Sequence, residues 1–386
     1  MTRWVDTQGD FEAVVGALKN ESVVGLDTEF HRERTYHPQL ALVQLVWGTP
    51  DAQEIALVDA TTVDLMSFAN VLDSDTTIVM HSSVQDIEVL LRACDTLPAH
   101  LFDTQIAAGF AGYNGPSLAT LVHGVLGVAL PKGDRLADWL RRPLSEDQRT
   151  YAASDVAHLL PLHRWLLGRL EETGRLSWAE DECTQLLAKG ALTRDPNESW
   201  WKVKEARQLR GKAVGVAQAL AAWRERRAGE IDQPVRFVLP DLALVGIAQR
   251  PPANVNDLRR VRGLDDRHLR GAMADTIMDV IDDGLALTKD QLRLPPTGDV
   301  DRELRPAVAL VSAWISQLSR QLQIDTTLLA TRADVEALLR GSKTARLTQG
   351  WRADVLGQDI QRLVEGRAAL SFDGKGNLVL EDRQRS

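Results

Sequence analysis

Two carboxylates, Asp27 and Glu29, close the apolar run Ser22–Phe30 (SVVGLDTEF). Residues two apart on a β-strand share a face, so both acids project from one side of a strand end. Like charges held together are costly unless a cation sits between them, and a divalent metal with oxygen ligands is the natural partner. A bare Asp-x-Glu, taken alone, reads rather as a solvated strand end. Two further acids extend the pattern. Asp86 stands in His81-Ser82-Ser83-Val84-Gln85-Asp86, after the β-like Thr76–Met80 and where a helix begins. Asp155 ends Tyr151-Ala152-Ala153-Ser154-Asp155 inside a helical run, and the four-residue spacing puts the Tyr151 hydroxyl on the same helix face as its carboxylate. Four acids from three segments could hold two metal ions about 3.5–4 Å apart, an arrangement that generates a hydroxide nucleophile and stabilises the leaving oxygen of a phosphoryl displacement. Tyr151 would then position the attacking water.

Such a site needs an α/β scaffold. Strand-like runs fall at Ser22–Phe30, Leu40–Trp47, Glu54–Val58 and Thr76–Met80, and helical patterns at Phe11–Leu18, Leu65–Leu72, Val84–Cys94 and Leu118–Leu126. The mixture predicts a mixed sheet flanked by helices, its early strands an antiparallel meander around Gly48-Thr49-Pro50. Beyond about residue 170 the apolar spacing becomes helical, as in Ala217-Leu220-Ala221-Trp223. Pro251-Pro252 and Pro295-Pro296-Thr297-Gly298 punctuate that half, and the second cluster reads as a linker. The expected division is an α/β domain over 1–172, a basic helical connector over 173–212, and helical blocks over 213–294 and 300–386. The last block closes on two β-like pieces within Leu370–Leu380, joined by a turn at Asp373-Gly374-Lys375-Gly376-Asn377.

Composition narrows the function classes. A chain of 386 residues, 44% hydrophobic and 26% charged, is ordinary globular protein of two or three domains. Cys94 and Cys183 are its two cysteines, which excludes a zinc ribbon, a Cys-ligated iron–sulfur cluster and a disulfide scaffold, and fits a reducing cytoplasm. The acidic start MTRWVDTQGDFEAVVG does not read as a signal peptide, and no apolar run nears the about 18 residues of a membrane helix. The expectation is a cytoplasmic protein with no membrane partner. The net charge of −9 hides a basic block from Trp201 to Arg227, where eight Lys/Arg face two Glu. That block reads either as a phosphate-binding surface or as a solvated helix face.

LDTEF, HSSVQD and YAASD, in that order, match the three motifs of the DEDD exonuclease superfamily in its tyrosine subclass, and the chain resembles the ribonuclease D family. FHRERTYHPQLALVQL, LFDTQIAAGF and KGDRLADWLRRPLSEDQRTYAASDVAHLLPLH are similar to further family segments, so the resemblance spans residues 20–165. It implies an RNase H-like exonuclease domain over 1–172, with a mixed five-stranded sheet flanked by helices. It implies Asp27, Glu29, Asp86 and Asp155 as ligands of two divalent ions, Mg²⁺ or Mn²⁺, and Tyr151 as the water-orienting residue. The implied activity is 3′→5′ hydrolysis of RNA 3′ ends to 5′-monophosphates, with tRNA precursors as characteristic substrate; a monomer without an organic cofactor is a separate expectation.

The second motif departs from the Asn often drawn ahead of its Asp, since His81-Ser82-Ser83 stands there; family members commonly carry His. Thr28, Phe30, His81, Arg34 and Lys132 are the candidate substrate contacts. Phe30 would stack on the terminal base or fill core; Arg34 and Lys132 would meet phosphates or water; His81 would touch substrate or satisfy a strand end. Asp103 reads as a helix cap rather than a fifth ligand, and Trp139 as packing.

Ala219-Leu220, Trp223-Arg224-Glu225-Arg226, Asp232-Gln233-Pro234, Phe237–Asp241 and Arg262-Gly263-Leu264 resemble the HRDC domain, a small helical bundle whose family role is auxiliary nucleic-acid binding. Arg259, Arg260, Arg262, Arg267 and Arg270 give it a basic edge, diluted by Asp265 and Asp266. Residues 300–386 carry a fainter resemblance to a second, diverged HRDC domain at Asp325–Arg332. Two other readings remain open. One is a DNA 3′→5′ exonuclease of repair, since proofreading domains share the motifs. The other is a catalytically silent RNA-binding scaffold, which four intact acids argue against.

Overall fold

A six-stranded mixed sheet carries the acid motif. In the computed structural model, which describes residues 2–49, 52–131, 133, 137–192, 195–295 and 302–383, the strand order is β1-β4-β3-β2-β5-β6. These strands are β1 (Thr2–Val5), β2 (Val23–His31), β3 (Gln39–Thr49), β4 (Ala52–Asp59), β5 (Thr77–Met80) and β6 (His100–Asp103). β3 and β4 run antiparallel, while β1–β4, β2–β5 and β5–β6 are parallel. The expected sheet had five strands. Sequence reading located four of the six and missed β1 and β6, each only four residues long, with too little apolar alternation to announce themselves; β1 is held by pairing Thr2 with Ile55 through Val5 with Val58.

The pleat sorts neighbouring side chains into two cores. Ile78 and Met80 of β5 pack with Phe11, Val14, Leu18, Ile87 and Leu90. Val79 between them packs with Phe110, Leu159, Leu162 and Leu166. With both faces covered, β3 is buried continuously from Ala41 to Trp47. Gly25 in β2 permits a close approach there: a Cβ would collide with Val46 and lie 3.1 Å from Leu159 Cβ. That seats the helix Leu159–Glu172, and with it the preceding helix Glu146–Ala157, against the strand that bears the acids.

Two compact units emerge, and their limits differ from those expected of the sequence. The described residues of 1–29, 40–191 and 297–386 form one, those of 30–39 and 192–296 the other. The C-terminal segment, expected as a separate helical block, shares a core with the exonuclease-like region: Val308, Trp314, Trp351 and Ile360 cluster with Phe110 and Leu162. Polar ties reinforce it. Glu182, in the helix Leu176–Ala191, accepts from Arg352 at 2.5 Å, Arg346 at 2.6 Å and Trp351 Nε1 at 3.2 Å, and Asp325 N–H donates to Gly109 O at 2.8 Å. The segment ends in an antiparallel hairpin, β7 (Ala368–Phe372) with β8 (Leu378–Asp382). The expected turn joins them, with Asp373 Oδ1 accepting from the Lys375 and Asn377 N–H groups.

The second unit is built on the helix Lys212–Glu230, packed with Asp241–Gln249 and Met273–Ala286 around Leu220, Leu244, Ile247, Ile277 and Ile281. Residues 30–39 belong to it: Tyr36 Oη donates to Glu225 at 3.1 Å, and His37 N–H to Asp232 at 3.0 Å. The stretch 173–212 is no separate connector. Ala179 and Cys183 are buried in the first unit, while Trp200, Val203 and Ala206 are core of the second. The basic block is likewise not one surface, because Arg224 is buried and donates to Leu239 O at 2.9 Å and Asp241 at 2.7 Å. Among the described residues no helix is long and apolar enough to cross a membrane.

Candidate active site

The end of β2 and the helix Glu146–Ala157 bring three acids together. One carboxylate oxygen from each of Asp27, Glu29 and Asp155 lies within 4.8 Å of the others. The helix is started by a reciprocal cap: Ser145 Oγ accepts from Gln148 N–H at 3.1 Å, and Gln148 Oε1 from Ser145 N–H at 3.0 Å. Its approach is pinned by Arg142, whose guanidinium makes bonds of 2.5 and 2.6 Å to the buried Asp59 and of 2.8 Å to Ala41 O. Burial pushes the Asp59 carboxyl up, but the Arg142 and Thr61 donors outweigh it and hold it below its ordinary value.

Asp86 comes from the first turn of the helix Val84–Cys94 and stands outside the 4.8 Å cluster. It is close enough to act on the other acids. Burial, then Asp86, Asp155 and Glu29, hold Asp27 well above its ordinary value. Burial, then Asp155 and Asp86, push Glu29 from 4.5 to about 8, and burial pushes Asp155 from 3.8 to about 7. Asp86 is raised as well, by burial, against the donation from Thr28. Among the described residues, the charges that raise Asp27 and Glu29 are carboxylates. Hard oxygen donors crowded in this way suit a divalent metal, and Asp27, Glu29 and Asp155 are arranged to fit one, with Asp86 beside them.

Tyr151 hydrogen-bonds Asp155 from one turn earlier in the helix. Burial, then Asp155, Glu29 and Asp27, push its phenol far above its ordinary value, so it stays protonated and donates. Its ring lies 6.2 Å from the buried Trp139, in a cluster with Ala41, Leu42, Leu57 and Ala152, so Trp139 does pack. Gly133 covers the ring closely enough that a Cβ there would overlap it.

The remaining candidates have different fates. Thr28 is buried and its hydroxyl donates to Asp86 Oδ1. His81 Nδ1 lies 2.9 Å from Thr104 Oγ1. Asp103 caps the helix Thr104–Phe110, accepting from Gln105 and Ile106 N–H, as expected. Phe30 is half-buried, with the Arg32 guanidinium 5.7 Å from its ring centre, and Arg34 is exposed. Lys132 lies outside the described residues. Much of the basic edge in the second unit meets its own acids: Arg259 with Asp266 and Arg260 with Asp257 at 3.8 Å, Arg267 with Asp265 at 3.1 Å. Sequence reading missed the roles of Gly25 and Gly133; a glycine inside an apolar strand was the available signal for the first.

Comparison with known proteins agrees with the geometry. Residues 2–171 match the 3′-5′ exonuclease family model and residues 214–281 the HRDC domain model. Fold and site thus define a 3′–5′ exonuclease of the divalent-metal-dependent kind, followed by an HRDC domain. The chain is 36% identical to ribonuclease D of Gluconacetobacter diazotrophicus, over 96% of this chain and 94% of the relative. It is 32% identical to ribonuclease D of Jannaschia sp., over 99% and 100%. The crystal structure of Escherichia coli RNase D, described as an exoribonuclease involved in structured RNA processing, superposes with a TM-score of 0.83 at 31% identity, covering 95% of this chain and 99% of that one. The chain belongs to the ribonuclease D family and is a 3′–5′ exoribonuclease.

Proposed function

We propose that this protein shortens structured RNAs, tRNA precursors among them, one nucleotide at a time from the 3′ end, with Asp27, Glu29, Asp86 and Asp155 holding two divalent ions, Mg²⁺ or Mn²⁺. The observation that carries the reading is the convergence of Asp27, Glu29 and Asp155 within 4.8 Å, with Asp86 raising the first two further. Bound divalent ions neutralise such a cluster and lower the pKa of water toward neutrality. The chain's own residues do the rest. The Tyr151 phenol, kept protonated and directed at Asp155, orients the attacking water. That water's oxygen bonds to the terminal phosphorus as the bond to the 3′ oxygen of the preceding nucleotide breaks. The products are a nucleoside 5′-monophosphate and an RNA shorter by one, with a new 3′ hydroxyl.

Phe30, Arg34 and Lys132 are the residues we assign to the substrate, by stacking and by phosphate contact. The hydroxyl of Thr28 and the ring of His81 are engaged within the protein and are better understood as support. The HRDC domain, at about 213–294, would hold the body of a structured RNA, and residues 300–386 read as a diverged relative of it fused to the catalytic unit. A cytoplasmic monomer fits the free cysteines and the family substrate.

The test is a 3′-extended tRNA transcript labelled at its 5′ end, incubated with Mg²⁺, Mn²⁺ or EDTA, beside a DNA strand of identical sequence. The expected result is a ladder shortening from the RNA 3′ end with either metal, absent in EDTA and in Asp155→Asn. Shortening by Asp155→Asn would overturn the metal assignment, and preference for the DNA strand would move the activity to repair.

A further inference from the structure

Asp86 is the proposed ligand supplied by neither β2 nor the Glu146–Ala157 helix, and two independent anchors hold it. We propose that Thr28 and Asp103 are positioning residues for Asp86, an inference that rests on Asp86 being a metal ligand. The first anchor is direct: the buried hydroxyl of Thr28, the residue between Asp27 and Glu29 in the sequence of β2, donates to Asp86 Oδ1. A threonine hydroxyl has one proton, and this donation helps fix which way the carboxylate turns, beside backbone N–H donation to it from Thr28 and from Asp86 itself.

The second anchor acts through the backbone. Asp103, at the end of β6, is 1% exposed and its carboxylate takes five donors. Oδ1 accepts from Ser82 N–H at 3.2 Å, Gln105 N–H at 2.8 Å and Ile106 N–H at 3.2 Å. Oδ2 accepts from the Ser83 N–H and Oγ–H, each at 2.8 Å. One carboxylate therefore caps the Thr104–Phe110 helix and ties down the 81–83 turn, which launches the helix whose first turn bears Asp86. Ser82 there has φ of 59°, a left-handed conformation that a serine keeps only when its surroundings impose it. Thr104 adds a further tie, donating to Met80 O at 3.0 Å and meeting His81 Nδ1. The Phe-Asp-Thr-Gln segment, which supplies no metal ligand, thus sets the origin of the Asp86 helix. Because metal–oxygen bonds tolerate little displacement, partners that orient a ligand carry about 10–100-fold in metal affinity or activity.

Four variants separate positioning from plain stability. Thr28→Val keeps the shape and removes the donor; Thr28→Ser keeps the donor. Asp103→Asn keeps an acceptor for the Gln105 and Ile106 caps but turns an NH₂ toward the Ser83 N–H. Asp86→Asn is the control. For each, Mn²⁺ binding is measured by calorimetry on the full chain without RNA, alongside kcat and KM on an oligoribonucleotide and the thermal midpoint. We expect Thr28→Val and Asp103→Asn each to weaken Mn²⁺ binding and lower kcat by about 10-fold or more with KM nearly unchanged, and Thr28→Ser to recover most of both. Combining the two should cost less than the product of the single losses, since both act through one carboxylate. If Asp103→Asn fails to fold, Ser83→Ala, which removes the side-chain arm alone, should show the same pattern more weakly. Wild-type Mn²⁺ affinity and kcat in Thr28→Val, or a loss that Thr28→Ser does not recover, overturns the proposal. If Asp86→Asn itself binds Mn²⁺ and cleaves normally, the metal-ligand reading falls instead.

Discussion

Two carboxylate sites sit in the same compact unit and could hardly differ more. Glu182 is nearly buried and met by Arg352, Arg346 and the Trp351 indole. Burial pushes its carboxyl up, but the two arginines overcome that and hold it below its ordinary value. Asp27, Glu29 and Asp155 are also desolvated, yet among the described residues the charges acting on Asp27 and Glu29 are one another's and those of Asp155 and Asp86, and all are raised. At Glu182 the chain supplies the countercharge, so the interaction serves the fold. At the end of β2, among the described residues, carboxylates face carboxylates, an arrangement suited to a bound cation that leaves the fold to other contacts.

The comparison can be broken most sharply at the acids. Asp155→Asn or Asp27→Ala should lower kcat by at least about a thousandfold, as several kcal/mol of metal-supplied stabilisation implies. The same variants should unfold in EDTA no earlier than wild type, because each removes a repelled charge. A melting scan beside the exonuclease assay decides; retained activity or marked destabilisation would erase the contrast. Glu182→Gln should do the reverse. Leaving the buried Arg352 without its carboxylate partner, while Arg346 keeps Asp334 at 3.5 Å, is expected to cost about 3–5 kcal/mol in urea unfolding, with kcat per folded molecule unchanged. A cost below about 1 kcal/mol would mean the pair is dispensable.

Tyr151→Phe addresses the water-orienting role and should reduce kcat by about 10–100-fold while Mn²⁺ affinity stays at wild type. An unchanged rate would remove Tyr151 from the mechanism. The gentlest test is pH. Glu29 titrates at about 8 in the folded chain against an ordinary 4.5, so between these values the folded state holds a proton that the unfolded state has released. Its contribution to stability is present below 4.5 and lost as pH rises toward 8. Glu182, with its folded value lowered, contributes stability above 4.5 that is lost on acidification through that lower value. Thermal midpoints in EDTA should therefore decline less between pH 4.5 and 8 in Glu29→Gln, whereas Glu182→Gln should flatten the acid limb. Identical profiles for the two variants would refute the opposite signs.

Much of this was legible in the residues. The order and spacing of LDTEF, HSSVQD and YAASD named the four acids and Tyr151, and three of the acids do meet. Local rules also caught the Asp103 cap and the turn at Asp373, since both are settled by hydrogen bonds within a few residues. Charge counting along the chain did worse. It put Arg224 in a basic surface, while the fold buries that side chain against Leu239 O and Asp241.

What the sequence determined alone was the set of chemical groups and the local structure around them: which strand ends in paired acids, which helix starts at Ser145, and where Tyr151 sits relative to Asp155. Tertiary structure decided the long-range assignments. It placed the C-terminal segment in the catalytic unit through Glu182 and its two arginines, joined residues 30–39 to the helical unit, and set the Thr28 hydroxyl against Asp86. The reason is physical. Capping, periodicity and turn chemistry act over a few residues and leave their mark in spacing. A buried ion pair between residues 182 and 352, or a hydroxyl reaching from 28 to 86, exists only once the chain has folded.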